Sequence, residues 1–149
     1  MAATIILDAN IIMDLTLQRT NDLDDLKLIY AAISDGTFRC YTTTSIIHIC
    51  GYWLKKAYGA EQSKKILLTL LHHVTVIDAS HETVINALHS GMTDVEDAIQ
   101  YYTALSHKVD YFISRDTKFI KSSRQDLPVY KPTDFINNFM PFRTRKICF

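Results

Sequence analysis

Residues 4–15, "TIILDANIIMDL", carry the decision about the fold. The run "TIIL" (4–7) is continuously apolar and rich in β-branched residues, the pattern of a strand buried on both faces, as in a parallel sheet. Asp8 falls where that strand ends, flanked by Ile6, Leu7, Ile11 and Ile12. An unpaired charge in such a setting is costly, and no basic residue stands beside it in the sequence. In open α/β sheets, ligands bind outside the carboxyl ends of the strands. The stretch therefore gives an architecture to look for and a first candidate site residue.

Working outward, Leu23, Leu26, Tyr30 and Ile33 recur at helical spacing and predict a helix over about 22–35, with Gly36 as its left-handed terminator. "FRCYTT" (38–43) reads as the second strand. A helix capped by Thr44 or Ser45 follows to about Tyr58, where Gly59 stops it. "AEQSKKILLTLLHHV" (60–74) is a further helix, "VTVID" (74–78) a third strand, and "HETVINALHS" (81–90) a helix with Ser80 as its N-cap. "TDVEDAIQYY" (93–102) opens a helix capped by Thr93 or Asp94 that runs to about Lys108. "DYFIS" (110–114) is a fourth strand, "PVY" (128–130) a short edge strand, and "PTDFINNFM" (132–140) a closing helix with its proline in the first turn. Alternating strands and helices call for right-handed crossovers and an α/β fold: a three-layer α/β/α sandwich with a mostly parallel, roughly five-stranded sheet. One domain is expected over 1–140, followed by a short basic tail, 141–149.

Composition narrows the function classes. The 149 residues, 48% of them hydrophobic, supply a core for one domain. Sixteen Lys and Arg balance sixteen Asp and Glu, so any contact with nucleic acid must use a local patch. Cys40, Cys50 and Cys148 are too few and too scattered for a disulfide framework or a zinc site, which favours reduced thiols. The amino terminus lacks a basic leader, and Asp8, Asn10 and Asp14 interrupt its apolar run. A soluble cytoplasmic protein with no membrane partner is expected. Walker, GxGxxG and GxSxG patterns are absent, which argues against nucleotide-cofactor and acyl-transfer chemistry.

The acids of "TDVEDAIQYY" admit two readings. At about 100° per residue, Val95, Ala98, Ile99, Tyr102 and Leu105 share the arc expected to face the core. Asp94, Asp97 and Tyr101 flank that arc, while Glu96, Gln100 and Thr103 project from the opposite side. Glu96 is thereby set apart as solvent charge. The bland reading makes Asp94 an N-cap and Asp97 a first-turn charge, each worth roughly 0.5–2 kcal/mol. The other reading joins them to Asp8 and to Asp116, just past the fourth strand. Several carboxylates around one cleft suit Mg²⁺ or Mn²⁺, hard ions that prefer oxygen ligands.

Taken in order, "ILDANIIMDL", "TTTSIIHICGYWLKK", "DVEDAIQYYTAL", "DYFISRDTKFIKSS" and "LPVYKPTDFI" resemble the PIN-domain family, including toxin ribonucleases of the VapC type. The ordered set, rather than any one motif, carries the resemblance, and it extends to about Phe139. It implies that Asp8, Asp97 and Asp116 are catalytic carboxylates and that Asp8, Asp94, Asp97 and Asp116 are metal ligands for Mg²⁺ or Mn²⁺. It also implies that Asn10 orders the loop after the first strand and that Ser114 hydrogen-bonds near the first aspartate, both supporting the acids. One position departs. Many family members carry a metal-linked Glu at the place of His48, and this chain has no acid between Asp35 and Glu61. His48 is either a substitute ligand or an ordinary helix histidine.

Other features have plainer readings. His72 and His73 suit a helix C-terminus, and His81, His89 and His107 lack metal-ligand spacing. "YWLKK" (52–56) could stack on RNA, but a packed or partner-facing Trp53 is favoured. Arg115, Lys118, Lys121 and Arg124 form a basic run beside Asp116, a solvated face or a track for phosphates. The expected function is a metal-dependent endoribonuclease with an RNA substrate; the resemblance adds the toxin of a toxin–antitoxin pair, with an antitoxin partner and a homodimer. The alternatives are a non-catalytic PIN-fold binding module that has lost a metal ligand, and an unrelated α/β protein whose acids are only caps and surface charge.

Overall fold

The computed structural model, which describes residues 2–141, has one sheet of five strands. They are β1 (Ala3–Leu7), β2 (Phe38–Thr43), β3 (Val74–Ile77), β4 (Tyr111–Ile113) and β5 (Val129–Tyr130), in the order β3-β2-β1-β4-β5. Every pairing is parallel. In central β1, Ile5, Ile6 and Leu7 are all at most 1% exposed. Successive side chains of a strand point to opposite faces, so helices must cover both sides of the sheet. The architecture is the three-layer α/β/α sandwich expected from the sequence.

The helices are α1 (Ala9–Leu17), α2 (Leu23–Ser34), α3 (Thr44–Tyr58), α4 (Ala60–Leu71), α5 (His81–His89), α6 (Val95–Ser106), α7 (Thr117–Lys121) and α8 (Pro132–Phe139). Gly59 joins α3 to α4 at φ 86° and ψ 169°, a conformation reserved for glycine, so the chain turns there without a loop. The sequence expectations gave no helix at α1 or α7. At α1, Ile11, Ile12 and Met13 are consecutive and all buried, and this unbroken apolar run masks the helical period. With five residues, α7 is too short to display one.

The expected core face of α6 needs correction. Val95 is 57% exposed, and Ile99, Tyr102 and Leu105 are half-buried. The buried set is Ala98, Gln100, Tyr101, Thr103 and Ala104. Tyr101 turns inward because its phenol is fully served there: it donates to the Leu127 carbonyl at 2.6 Å and accepts from the Arg124 amide at 2.6 Å. Its ring meets Phe119 edge-on at 5.6 Å. Thr103 enters by donating to the Ile99 carbonyl at 2.6 Å. Gln100 is only 3% exposed, so it does not lie on the solvent side with Glu96 as expected.

Cys40 and Cys50 are buried free thiols, each pushed up to about 12 by burial. Cys148 and the basic tail beyond Pro141 lie outside the described residues. Among the described residues, no helix is long and apolar enough to cross a membrane.

Candidate active site

The chain runs from β1 through β2 to β3 on one side and then returns to β4 and β5 on the other side of β1. The carboxyl ends of β1 and β4 thus flank the point where the winding reverses, the place where open α/β sheets bind ligands. Each acid there is set by a helix start. Asp8 follows β1 and caps α1, accepting from the Ala9 amide at 2.7 Å. Asp94 caps α6, accepting from the Asp97 amide at 2.9 Å. Asp116 follows β4 and caps α7, accepting from the Lys118 and Phe119 amides at 3.0 and 3.4 Å. Capping and clustering are therefore not alternatives, because the same carboxylates do both.

Ser114 ties two of the segments together. Its hydroxyl donates to Asp8 Oδ2 at 2.8 Å and accepts from the Asp116 amide at 3.1 Å. Asp94, Asp97 and Asp116 line a cavity of about 270 Å³ with Met92, Thr93, Lys118, Phe119 and Ser122. Asp8, which is 9% exposed, does not line that cavity but is within the electrostatic reach of Asp116 and Asp94.

The charges oppose one another. Burial raises the Asp8 carboxyl above its ordinary value, the Ser114 and Ala9 hydrogen bonds pull it back, and Asp116 and Asp94 push it up again. Asp97 is lifted to about 7, by burial first and then by the charges of Asp94, Asp8, Asp116 and Glu96. Glu96 is exposed, yet burial of its carboxyl and the charges of Asp94 and Asp8 raise it too. It belongs to the same field, which its helical angle did not suggest.

Among the described residues, ion pairs involve Asp14, Asp22 and Asp126 and none of the four site aspartates. All-oxygen donors that repel each other and form no ion pair among the described residues fit a hard divalent ion. Among the described residues no three Asp, Glu, His or Cys side chains are gathered closely enough to hold an ion as they stand. An ion that keeps several of its waters suits such a spaced set.

His48 and Asn10 are exposed, on α3 and on the first turn of α1. Among the described residues neither hydrogen-bonds to an acid of the site. The α3 side chain that senses Asp8 is Cys50, whose thiol is raised by burial and then by the Asp8 charge.

The basic run divides. Arg115 is bound by Asp14 and Asp22, and its Nη2 also donates to Thr20 Oγ1 at 3.2 Å. Arg124 pairs with Asp126 at 3.1 Å. Arg115 is thus taken up by acids distant in sequence, whereas the Arg124 pair is exposed and stays solvated. Lys118 faces the acidic cavity, a position its sequence neighbourhood marked only through its nearness to Asp116. On α3, Trp53 is 46% exposed and Lys56 Nζ sits 5.3 Å from its ring centroid.

A parallel sheet with carboxylates converging at its reversal point defines a class of α/β proteins with an acidic cleft at the strand ends. The PIN domain model matches residues 4–118, and the chain belongs to the PIN-domain family. Among solved structures, a chain of VapBC2 from Rickettsia felis, bound to a DNA fragment from their promoter, is similar with a TM-score of 0.65. The two are 13% identical, over 86% of this chain and 98% of that one. A chain of VapBC-1 from nontypeable Haemophilus influenzae gives a TM-score of 0.64 at 18% identity, over 87% of this chain and 98% of that one. These likenesses are of fold. Comparison with curated protein sequences finds no match.

Proposed function

We propose that the protein is a metal-dependent endoribonuclease and the toxin of a toxin–antitoxin pair. The observation that carries this reading is the gathering of Asp8, Asp94, Asp97 and Asp116 within one another's electrostatic reach, where burial first and then the neighbouring charges lift Asp97 to about 7. Asp8, Asp94, Asp97 and Asp116 would hold Mg²⁺ or Mn²⁺. When bound, the ion lowers the pKa of a water and offsets charge developing on phosphate oxygens. The chain's own part is placement. Ser114 holds Asp8 and the backbone of Asp116 in one orientation, and the helix caps fix Asp94 and Asp116. Lys118 stands at the cavity wall, where it can take a phosphate of the strand. Replacing Asp8 by Asn should abolish Mn²⁺-stimulated cleavage of RNA. Undiminished cleavage by that variant, in a preparation free of contaminating nuclease, would refute the assignment.

The family membership and the likeness to chains of VapBC structures support an antitoxin as partner. The exposed aromatic side chains Tyr52, Trp53 and Tyr58 on α3 offer a surface for a homodimer, which sedimentation velocity would test. A second reading, a PIN fold that binds without cleaving, draws on α3, which presents Cys50 rather than an acid towards Asp8. Calorimetric titration with Mn²⁺ separates the two, since the enzyme requires saturable binding that Asp97→Asn removes.

A further inference from the structure

Arg115 stands in the chain between Ser114, which holds Asp8, and Asp116, yet its side chain is bound elsewhere. All three guanidinium nitrogens are engaged. Nη1 donates to Asp14 Oδ2, Nη2 to Asp22 Oδ1 and, at 3.2 Å, to Thr20 Oγ1, and Nε to Asp22 Oδ2 at 3.3 Å. The Nε and Nη2 bonds make a fork on the Asp22 carboxylate, a planar match that a lysine ammonium cannot reproduce. The anchor is itself braced, because Thr20 donates to Asp22 Oδ1 at 2.5 Å and Arg19 Nε to Asp14 Oδ1 at 2.7 Å. Arg115, Asp14 and Asp22 are all half-buried, so solvent screens this network less than it would an exposed pair.

The place of this clamp gives it a task beyond stability. The β1–β4 ladder ends at Leu7 and Ile113, and the Asp8 amide adds one last bond, to the Ile113 carbonyl at 3.0 Å. Past that point no backbone hydrogen bond joins α1 to residues 114–116 among the described residues. Asp8, which caps α1, and Asp116, which caps α7, therefore keep their separation through side chains. Ser114 holds Asp8 at 2.8 Å, and Arg115 holds Asp14, six residues and about 9 Å further along α1. Two separated attachments fix an angle as well as a distance. They also settle a charge. Asp97 feels the charges of Asp94, Asp8, Asp116 and Glu96. The guanidinium, taken up by Asp14 and Asp22, leaves that acidic field to a cation.

We infer that Arg115 is a positioning residue: anchored on Asp14, Asp22 and Thr20, it sets Asp116 against Asp8 and thereby the affinity of the acidic site for a divalent cation. The inference rests on the metal-site part of the proposed function. Its test is calorimetric titration of the full chain with Mn²⁺, with urea unfolding to show that each variant is folded under the titration conditions. Arg115→Met should weaken Mn²⁺ binding about ten- to a hundredfold, the usual effect of losing a residue that orients metal ligands. The sign decides between roles, because deleting a nearby positive charge that acted only electrostatically would tighten cation binding. Arg115→Lys keeps the charge but not the fork and should also weaken binding, so it carries the test should the methionine variant fail to fold. Arg19→Met, which removes the other cation on Asp14, should leave the affinity within about twofold. Unchanged or tighter binding in both Arg115 variants overturns the inference. So does an equal loss in Arg19→Met, which would reduce Arg115 to a general support of α1. If the parent shows no saturable Mn²⁺ binding, the metal reading fails and takes the inference with it; saturable binding that ignores Arg115 sinks the inference alone.

Discussion

Replacing Asp97 by Asn should stabilise the metal-free protein, and only above a defined pH. The Asp97 carboxyl rises from 3.8 to about 7 on folding, by burial and by the charges of Asp94, Asp8, Asp116 and Glu96. Between those values the folded state binds the proton that the unfolded state has released. Stability therefore falls as pH rises through that window and levels off above it. Unscreened, the ionised group would cost about 4 kcal/mol. Asp97 is only half-buried, so solvent screening reduces the figure to about 1–2 kcal/mol. Asparagine keeps the shape and the backbone bond to Asp94 while removing the charge. At pH 8 in chelator the variant should melt about 2–8 °C higher than the parent, the shift that such a free energy produces in a domain of this size. At pH 3, below both the unfolded value of 3.8 and the folded value of about 7, the parent's Asp97 is largely protonated in both states and the two should melt together. Circular dichroism melts across pH 3–8 read the difference directly. A variant less stable than the parent at pH 8, or a gain independent of pH, would refute mutual repulsion among these acids.

Three further outcomes follow from the same geometry. Added Mn²⁺ should raise the melting temperature of the parent and leave Asp97→Asn unmoved, with about 2.7 kcal/mol gained at a hundredfold excess over Kd; equal shifts in both proteins would place the ion elsewhere. Ser114→Ala removes a donor to Asp8 and the acceptor of the Asp116 amide. It should cost about 1–3 kcal/mol in urea unfolding and weaken Mn²⁺ binding by calorimetry, because a buried carboxylate loses a partner. Lys118→Ala should weaken RNA binding and reduce the salt slope by about one, whereas Arg115→Ala, whose guanidinium is held by Asp14 and Asp22, should leave that slope unchanged. Filter binding at several salt concentrations distinguishes them.

The layer architecture was readable in the sequence because strands buried on both faces leave unbroken apolar runs, and "TIIL" is one. The strand ends, and with them the positions of Asp8 and Asp116, followed from where those runs stop. Side-chain facing on α6 did not follow. The angular reading weighted Val95 as an apolar residue and Tyr101 as a flank, but the first turn of α6 projects past the core while the phenol finds two backbone partners inside. Burial of Gln100 was hidden for a similar reason, since a buried amide has no hydrophobic signature. Arg115 was misread because its partners, Asp14 and Asp22, lie about a hundred residues away in sequence and meet it only after the sheet forms.

The bond from Ser114 to Asp8 spans 106 residues, and so does the clasp between Thr4 and Asp110 beneath it. Pairing of β1 with β4 is the event that brings these ends together. During synthesis, at roughly 5–20 residues per second, the first aspartate waits for several seconds before its neighbours leave the ribosome. A truncated or stalled chain ending before Ser114 has β1, β2 and β3 but no cleft. The acidic cleft is therefore assembled only when the fourth strand joins the first, by the order of the strands alone.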